Sequence, residues 1–422
     1  MCDTLVIRQN GMTFFGKNSD REPGEGQLVA RIPPVINGRE NSLRATYIDI
    51  PQTHSRHGLL LSTPFWIWGA EMGTNDQGVV IGNEAVFTRV KEKTDGLIGM
   101  DLLRLGLERG DTAEKALQVI TELLTAYGQG GICGFRDRKM RYDNSFIVAD
   151  PASAWVLETA GRHWVAKKVT AFAAISNSLT IGADFDCKSE GIEDFARKKG
   201  WLPKNRDFDF RKTFDTRLMP YFAGAKERLA TSRKCLRQMP DLSQDGLQQM
   251  MNILRTHFRP SASPASGSNA DICMHAGGVI RQSQTCGSMV SALAAKRHRH
   301  FLTGTSAPCL SVFKPADFDY EMPYFVLNPD TETVKGSLWA RHEHIHRRLL
   351  FDEKGRGQLQ STISPTETAT LSAPSRSEAD QTVRDWEERV RLKYRHKPVR
   401  YPKASAYARF WKRANRLDGF NF

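Results

Sequence analysis

The sequence contains no run of about 18 apolar residues, the length that a transmembrane helix requires, so no membrane span is expected. The N-terminus lacks the basic segment, apolar core and small-residue cleavage site of a signal peptide, and we therefore expect a cytoplasmic protein. No CxxC pair occurs among the seven cysteines, so a thiolate zinc site is not expected. An odd number of scattered cysteines is typical of a reducing compartment.

The composition is that of a globular protein with a large core, with 40% hydrophobic and 25% charged residues in a chain of 422. The net charge of +13 would favour a nucleic-acid partner if it were spread over a binding face. However, residues 384–422 hold twelve Lys or Arg and four Asp or Glu, so eight of the net charges lie in this tail. Since the rest of the chain shows no nucleic-acid module, no such partner is expected.

The first twenty residues, MCDTLVIRQNGMTFFGKNSD, predict a β-hairpin. Two β-prone runs flank Asn10-Gly11, a dipeptide that favours a two-residue turn because both of its residues accept positive φ. In that register the numbers of paired residues sum to 21, and Cys2 lies opposite Ser19. The thiol is then placed beside a carboxylate, an amide and an ammonium group.

Removal of Met1 would give Cys2 a free α-amine, so that one residue would supply both the nucleophile and its base. Such an amine titrates at about pH 7.7 to 8 and can accept the thiol proton at neutral pH. Lys17 would lower the pKa of the thiol, and Asp20 could hold the amine. The alternative is that Cys2 is an incidental residue in a frayed terminus.

Two asparagines further along the chain could complete a site of this kind. A second hairpin around Thr74–Gly78 places Asn83 at the end of the returning strand, where it could donate to an oxyanion or merely cap a turn. Four short strands over residues 144–178 predict an antiparallel sheet. Asn177 at the end of the fourth strand could reach residue 2, or it could simply start the next loop.

Two other groups of residues offer rival chemistry. Cys273 and His275 are alternate residues of a predicted strand and could form a second Cys–His pair, although no third residue orients them. His342–His346 matches HExxH, the zinc-peptidase motif. Its candidate third ligands, Glu353 and Glu367, fall in or beside a segment that is expected to be disordered. A helix with hydrogen-bonded imidazoles is therefore the alternative.

The chain is expected to divide near residue 354. A catalytic domain over 2–354 would be followed by a flexible Ser/Thr/Pro/Gly-rich linker at 355–378 and a charged helix with a basic tail at 379–422. An apolar stripe on this helix is expected to dock on the body or on a second subunit, so the protein could be a homo-oligomer. The tail beyond the helix could bind an acidic surface, but disorder is the simpler expectation.

Long stretches between residue 2 and about 350 carry, in order, a recognisable family pattern: FFGKNSDRE, WGAEMGTNDQGVVIGNEAV, SFIVADPASAWVLETAG, ISNSLTIG and SLWARHE. The pattern resembles that of the secernins and the related bacterial cysteine-nucleophile dipeptidases. The resemblance implies an N-terminal nucleophile hydrolase, an α+β protein in which two stacked antiparallel sheets lie between helical layers as an αββα sandwich. HExxH is itself part of the secernin-like pattern.

The resemblance also implies a set of site residues and an activity. It places the nucleophile at Cys2, the amine-orienting carboxylate at Asp20, a cation often Arg in related acylases at Lys17, the oxyanion donor at Asn83 and a second amide at Asn177. A further acylase arginine has no clear counterpart, although Arg228 lies in the corresponding region. The implied activity is a cysteine dipeptidase that acts on small peptides or amides through a thioester, with no cofactor or metal. The chain departs from the family pattern in that only Met1 precedes Cys2, so activation is expected to need removal of Met1 alone. An acylase of non-peptide amides and a secernin-like non-enzymatic regulator are the alternatives.

Overall fold

The structure, a computed structural model, describes residues 1–91, 95–216, 223–239, 242–259, 263–322, 325, 334–403 and 405–422. Its first element is the predicted hairpin, with β1 at Cys2–Gln9 and β2 at Met12–Arg21. Asn10 and Gly11 both have positive φ, and Cys2 pairs with Ser19. The register predicted from the turn is therefore confirmed.

The remaining strands follow in chain order: Gln27–Ile32 (β3), Ser42–Arg44 (β4), Asp49–Pro51 (β5), Leu59–Pro64 (β6), Met72–Asn75 (β7), Val80–Val86 (β8), Asp143–Ala149 (β9), Ala154–Ala160 (β10), His163–Lys168 (β11), Phe172–Ile175 (β12), Cys187–Lys188 (β13), Gln284–Ala294 (β14), Arg297–Leu302 (β15) and Lys314–Ala316 (β16). One antiparallel sheet has the order β12-β1-β2-β14-β15-β16. The second has the order β13-β11-β10-β9-β8-β7-β6-β3, and β4 and β5 form a separate pair.

The described helices are Gly99–Arg109 (α1), Ala113–Tyr127 (α2), Ile192–Lys198 (α3), Phe210–Phe214 (α4), Ala225–Gln238 (α5), Leu242–Leu254 (α6), Leu338–Leu349 (α7), Glu353–Ser372 (α8), Arg376–Tyr394 (α9) and Ala406–Leu417 (α10). Helices α1 and α2 pack on the eight-stranded sheet, whereas α5 and α6 pack on the six-stranded sheet. The sheets contact each other through β1, β8 and β9. The predicted α+β sandwich, αββα in its layers, is therefore confirmed.

The alternation of side chains along β1 explains this layering. Val6 lies in the core between the two sheets with Val80 and Ile147, whereas the preceding residue, Leu5, lies in the core beneath α5 and α6 with Met250. Both faces of the strand are apolar because successive side chains point to opposite sides of a sheet. The start of β1 is thus held at the centre of the molecule.

Three local expectations are wrong. Strand β12 does not join β9–β11 but pairs with β1 in the other sheet. Asn83 lies in the middle of β8 rather than at its end. The segment carrying Cys273 and His275 is not a strand. In each case, hydrogen bonds to segments that are distant in sequence determine the backbone conformation. A local sequence pattern does not encode such contacts.

The predicted flexible linker is instead largely helical, because α8 spans most of it. Leu359 and Ile363 are buried in the main core. The hydroxyl groups of Thr366 and Thr370 donate to the carbonyl oxygens one helical turn earlier, which makes a Thr-rich segment compatible with a helix.

The last helix, α10, is also ordered rather than frayed, since Trp411 is fully buried. The stripe on α9 packs against α8 and the main core, as expected for docking on the body. The boundary of the catalytic domain stays a prediction. Among the described residues, no helix combines the length and apolar character needed to cross a bilayer.

Candidate active site

All five predicted site residues are buried near the start of β1 or where the two sheets meet. Cys2 begins β1, Lys17 and Asp20 lie on β2, Asn83 lies on β8 of the facing sheet, and Asn177 follows β12. The side chain of Cys2 is 5% exposed, and the other four are exposed by at most 1%.

Three groups surround the nitrogen and sulfur of Cys2. Its backbone N–H donates to Asn177 Oδ1 at 3.0 Å, because β12 pairs with β1 and delivers Asn177 to the end of the hairpin. Its sulfur accepts the backbone N–H of Asp20 at 3.4 Å and lies 3.8 Å from Glu71 Oε2. The structure therefore brings Cys2, Asp20 and Asn177 together.

Arg228 on α5 donates hydrogen bonds to several groups at the N-terminal end of β1. Its Nη1 donates to the carbonyl oxygen of Cys2 at 2.8 Å and to Asp3 Oδ2 at 2.6 Å, while its Nη2 donates to Asn177 Oδ1 at 2.7 Å. Burial lowers the pKa of the guanidinium, but the charges of Asp3 and Asp20 outweigh burial and raise it. Arg228 therefore carries a fixed positive charge beside the thiol residue, which the sequence indicated only by region.

Lys17 reaches the facing sheet rather than the thiol. Its Nζ donates to the carbonyl oxygen of Asn83 at 2.7 Å and to Glu84 Oε1 at 3.2 Å, and Lys17 and Glu84 are both fully buried. Burial raises the pKa of Glu84 to about 7, although the charge of Lys17 opposes this. Lys17 thus joins the strand of Cys2 and Asp20 to the strand of Asn83.

Burial raises the pKa of the Cys2 thiol to about 11. The charge of Lys17 lowers this pKa, as expected, whereas the nearby carboxylate of Glu71 raises it. The expected net decrease is therefore wrong for the chain that carries Met1, because desolvation of the thiolate outweighs the charges of Lys17 and of the Met1 amino group. A positive charge closer to the sulfur would be needed to make the thiol more acidic.

Asp20 has one carboxylate oxygen available. Its Oδ1 accepts the hydroxyl of Thr285 at 2.6 Å, while Oδ2 is buried with no partner in the described part of the chain. Burial raises the pKa of this carboxyl to about 6, and the Met1 amino group opposes the increase. An oxygen of this kind can accept a hydrogen bond from an ammonium group nearby.

The side-chain amide of Asn83 makes one strong and one weak hydrogen bond. Its Nδ2 donates to Asn144 Oδ1 at 3.2 Å and to the sulfur of Met100 at 3.7 Å. Asn144 in turn donates to Gln129 Oε1 at 2.8 Å, which fixes the orientation of the pair. The oxyanion role of Asn83 stays a prediction.

A chain of side chains connects the thiol with a large cleft. Glu71 pairs with Arg21 at 3.0 Å, and Arg21 also pairs with Glu25, which accepts the indole N–H of Trp66 at 2.7 Å. Trp66 and the segment 417–420 line a cleft of about 1290 Å³. Cys2 does not line this cleft and is connected to it through Glu71, Arg21 and Glu25. Sequence reasoning missed Arg21, Glu71 and Asn144, although the first two lie in stretches that carry the family pattern.

The glutamate of the HExxH segment on α7 forms ion pairs within its own helix. Glu343 pairs with Arg347 at 2.8 Å and with His346 at 3.2 Å, and these charges hold the pKa of its carboxyl well below the usual range despite burial. The proposed third ligand Glu367 pairs with Arg255. The imidazole of His342 is buried without a partner for either nitrogen among the described residues, so the expectation of fully hydrogen-bonded imidazoles is wrong there.

A different group has the geometry of a metal site. Ligand atoms of His257, Cys273, His275 and Cys309 all lie within 4.8 Å of one another, and among the described residues this is the one group of three or more potential ligands so closely placed. The sequence, which has no CxxC pair, did not indicate this group, because its members come from separate segments of the chain.

Comparisons with known proteins agree with the family pattern in the sequence. The profile described as Peptidase family C69 matches residues 48–256, about half of the chain. A relative named "Probable dipeptidase" from Latilactobacillus sakei is 24% identical over 243 residues, which cover 51% of this chain and 48% of the relative. The chain thus spans about half the length of the curated relative it matches.

Solved structures with similar coordinates include a mutant of conjugated bile acid hydrolase from Clostridium perfringens. It has a TM-score of 0.43 at 13% identity, over 80% of this chain and 95% of that chain. Penicillin V acylase from Agrobacterium tumefaciens has a TM-score of 0.42 at 12% identity, over 75% of this chain and 86% of that one. These similarities are weak and add nothing to the architecture described above. The sequence match and the ordered family pattern identify the chain as a member of peptidase family C69.

Proposed function

We propose that this protein hydrolyses the amide bond of small peptides, with dipeptides as the preferred class, and that the thiol of Cys2 is the nucleophile. The observation that carries the proposal is the placement of Cys2, whose nitrogen contacts Asn177 and whose sulfur contacts the backbone of Asp20. Charged groups of both signs are buried around this residue, and they do not contribute to apolar packing. Their presence favours a catalytic role of Cys2 over an incidental thiol. The dipeptidase name of the relative supports the substrate class.

Removal of Met1 prepares the site in this scheme. The terminal positive charge would move from Met1 to the α-nitrogen of Cys2 itself, closer to the sulfur, and would lower the high pKa of the thiol further. The unpartnered Oδ2 of Asp20 would accept a hydrogen bond from the ammonium group, while Asn177 Oδ1 keeps its present contact with the nitrogen. The α-amine is then held in position to act as a base.

The reaction proceeds by acyl transfer to sulfur. The neutral amine takes the thiol proton, a C–S bond forms at the scissile carbonyl, and Asn83 Nδ2 donates to the oxyanion in place of its weak contact with the sulfur of Met100. The tetrahedral species collapses as the α-ammonium protonates the leaving nitrogen and the C–N bond breaks. The same amine deprotonates a water molecule, which attacks the thioester, breaks the C–S bond and restores the thiol.

The mature N-terminus provides the first test. Intact-mass measurement should show the loss of Met1, and a thiol-reactive substrate analogue should label Cys2 selectively. Cys2→Ala should abolish turnover, whereas Cys235→Ser, which changes a half-buried cysteine away from the site, should leave it intact. Full turnover by Cys2→Ala, or by a protein that retains Met1, would exclude the mechanism.

A substrate panel separates the remaining alternatives. Dipeptides should be cleaved faster than acyl-amides, and the reverse order would indicate an acylase. If neither class is cleaved and the analogue does not label Cys2 in the processed protein, the non-enzymatic regulator is favoured. Cytoplasmic location and a homo-oligomeric state stay predictions.

A further inference from the structure

Three segments of the chain converge to bring four potential metal ligands together. His257 follows α6, Cys273 and His275 lie in the segment that leads to β14, and Cys309 lies in the short 3-10 helix Pro308–Leu310. Cys273, His275 and Cys309 are buried, and His257 is half-buried. Two imidazoles and two thiols therefore share one point in the fold.

The distances between their ligand atoms match the edges of a tetrahedron around zinc. Nε2 of His275 lies 3.2 Å from Nε2 of His257, 3.3 Å from the sulfur of Cys309 and 3.9 Å from the sulfur of Cys273. Zinc bound at about 2.0 Å from nitrogen and about 2.3 Å from sulfur requires edges of about 3.3 Å between nitrogens and about 3.6 Å between nitrogen and sulfur. The three distances fall near these values.

Hydrogen bonding alone does not account for this convergence. An imidazole nitrogen carries either one hydrogen or one lone pair in the ring plane, so Nε2 of His275 can satisfy one neighbour and not three. A cation at the centre satisfies all four atoms at once. Two thiolates also balance a divalent charge, which makes burial of the ion inexpensive.

We propose that these four residues bind one Zn²⁺ ion as a structural His₂Cys₂ site. All four positions of the tetrahedron are filled by protein, which is the arrangement of structural rather than catalytic zinc. A pocket of about 250 Å³ is lined by His257, His275 and Cys309 and gives the ion a path from solvent. The ligand set excludes Cys2 and the HExxH helix.

The position of the site gives the ion a role in supporting the nucleophile. Met274, between two of the ligands, donates its N–H to the hydroxyl of Thr285, and this hydroxyl donates to Asp20 Oδ1. Zinc would hold the segment 273–275 against the end of α6 and so fix the position of Thr285. Loss of the ion should therefore loosen the contact that orients Asp20.

The full-length protein, prepared without metal and titrated with Zn²⁺ alone, tests the proposal. We expect about one equivalent to remain bound after gel filtration, in both the wild type and Cys2→Ala. Cys309→Ser and His257→Gln should weaken binding at least tenfold, whereas Cys235→Ser and His342→Gln should not. Because Cys2→Ala removes the proposed catalytic thiol, metal binding and activity are tested separately.

Cobalt gives a second readout that does not depend on a variant that folds. Co²⁺ bound to the wild type should show the visible bands of tetrahedral coordination and a thiolate-to-cobalt charge-transfer band. Chelation should lower the Tm of the wild type and leave that of Cys309→Ser unchanged. Absence of bound metal, an octahedral spectrum without charge transfer, or loss of binding in His342→Gln but not in Cys309→Ser would overturn the assignment.

Discussion

The amide oxygen of Asn177 is held by Arg228, whose Nη2 donates to it at 2.7 Å. The same oxygen accepts the N–H of Cys2, so it lies between a permanent cation and the nitrogen of the candidate nucleophile. The two donors fix the orientation of the side-chain amide, whose Nδ2 donates to the carbonyl oxygen of Ala85 at 2.9 Å. A side chain with three fixed partners is suited to position another group rather than to move.

Asn83→Ala should reduce kcat by about a hundredfold to a thousandfold with little change in KM, because an oxyanion donor acts only in the transition state. The measurement is steady-state turnover of a dipeptide. Asn75→Ala is the matched control, since Asn75 is also buried but donates to the carbonyl oxygens of Leu107 and Gly110. Asn75→Ala should lower stability and spare kcat. Equal effects of both variants on kcat would remove the oxyanion role.

Activity should fall below about pH 8, as the α-amine takes up a proton, and again as the pH decreases through the pKa of Asp20, because a protonated carboxyl no longer holds an ammonium group. Burial raises the pKa of this carboxyl to about 6 in the chain that carries Met1, so the second limb lies at lower pH than the first. Thr285→Val should move this limb of kcat/KM to higher pH, because loss of the hydroxyl donor raises the pKa of Asp20 further. Asp20→Asn should remove most of the activity, and the pH profile of the remaining activity should lack this limb. A pH profile unchanged in Thr285→Val would contradict the assignment.

The raised pKa of Asp20 also predicts that the free energy of unfolding depends on pH. Its folded-state pKa of about 6 exceeds its ordinary value of 3.8, so its contribution to stability is fully present below pH 3.8 and is lost as the pH rises through about 6. Unfolding by urea at a series of pH values measures this contribution. Asp20→Asn should flatten the slope, and a steeper slope in the variant would show that the sign is wrong.

Lys17→Met should cost about 3 to 5 kcal/mol in the free energy of unfolding, because it removes the cation beside the buried Glu84 and leaves that carboxyl with the hydroxyl of Thr4 as its side-chain partner. The double variant Lys17→Met/Glu84→Gln should recover part of this loss. Arg44→Met provides an exposed control, since the Arg44–Asp49 pair lies at the surface and should contribute at most about 1 kcal/mol. If the double variant is less stable than Lys17→Met alone, the loss does not come from the unpaired charge.

Trp66→Ala should raise KM for dipeptides about tenfold, equivalent to about 1.4 kcal/mol, if the large cleft binds the substrate. Trp155→Ala is a close control, because the Trp155 indole N–H also donates to a glutamate, Glu114, and the ring lies away from the cleft. The control should leave KM unchanged. A normal KM in Trp66→Ala would place the substrate elsewhere.

Local sequence signals determined the parts of this fold that depend on neighbours in the chain. The Asn10-Gly11 turn and the alternation of the flanking strands specify the pairing of Cys2 with Ser19, and the structure has that pairing. The layered architecture also followed from the family pattern. The catalytic roles of Cys2 and Asp20 remain predictions, since position alone does not demonstrate chemistry.

Contacts between distant segments could not be predicted in this way. Arg228 contacts the backbone of Cys2 across 226 positions, and no periodicity encodes such a pair. The His₂Cys₂ group could not be predicted because only Cys273 and His275 are close in sequence. The residues around them have a strand-like pattern, although the backbone there is irregular. The Thr-rich α8 was mistaken for a linker because composition does not reveal which side chains find a core.

The burial of Trp411 has a practical consequence for any shortened form of the protein. The ring packs with Tyr407 and Leu350, and the segment that follows is fastened to α7 by the pair between Asp418 and Arg347 at 2.6 Å. Cutting the chain before Ser405 would uncover an apolar surface on the body and remove two hydrogen-bond partners of Arg347, Asn415 and Asp418. The truncated molecule should therefore self-associate, and a loss of activity in it would report poor solubility rather than a missing catalytic group.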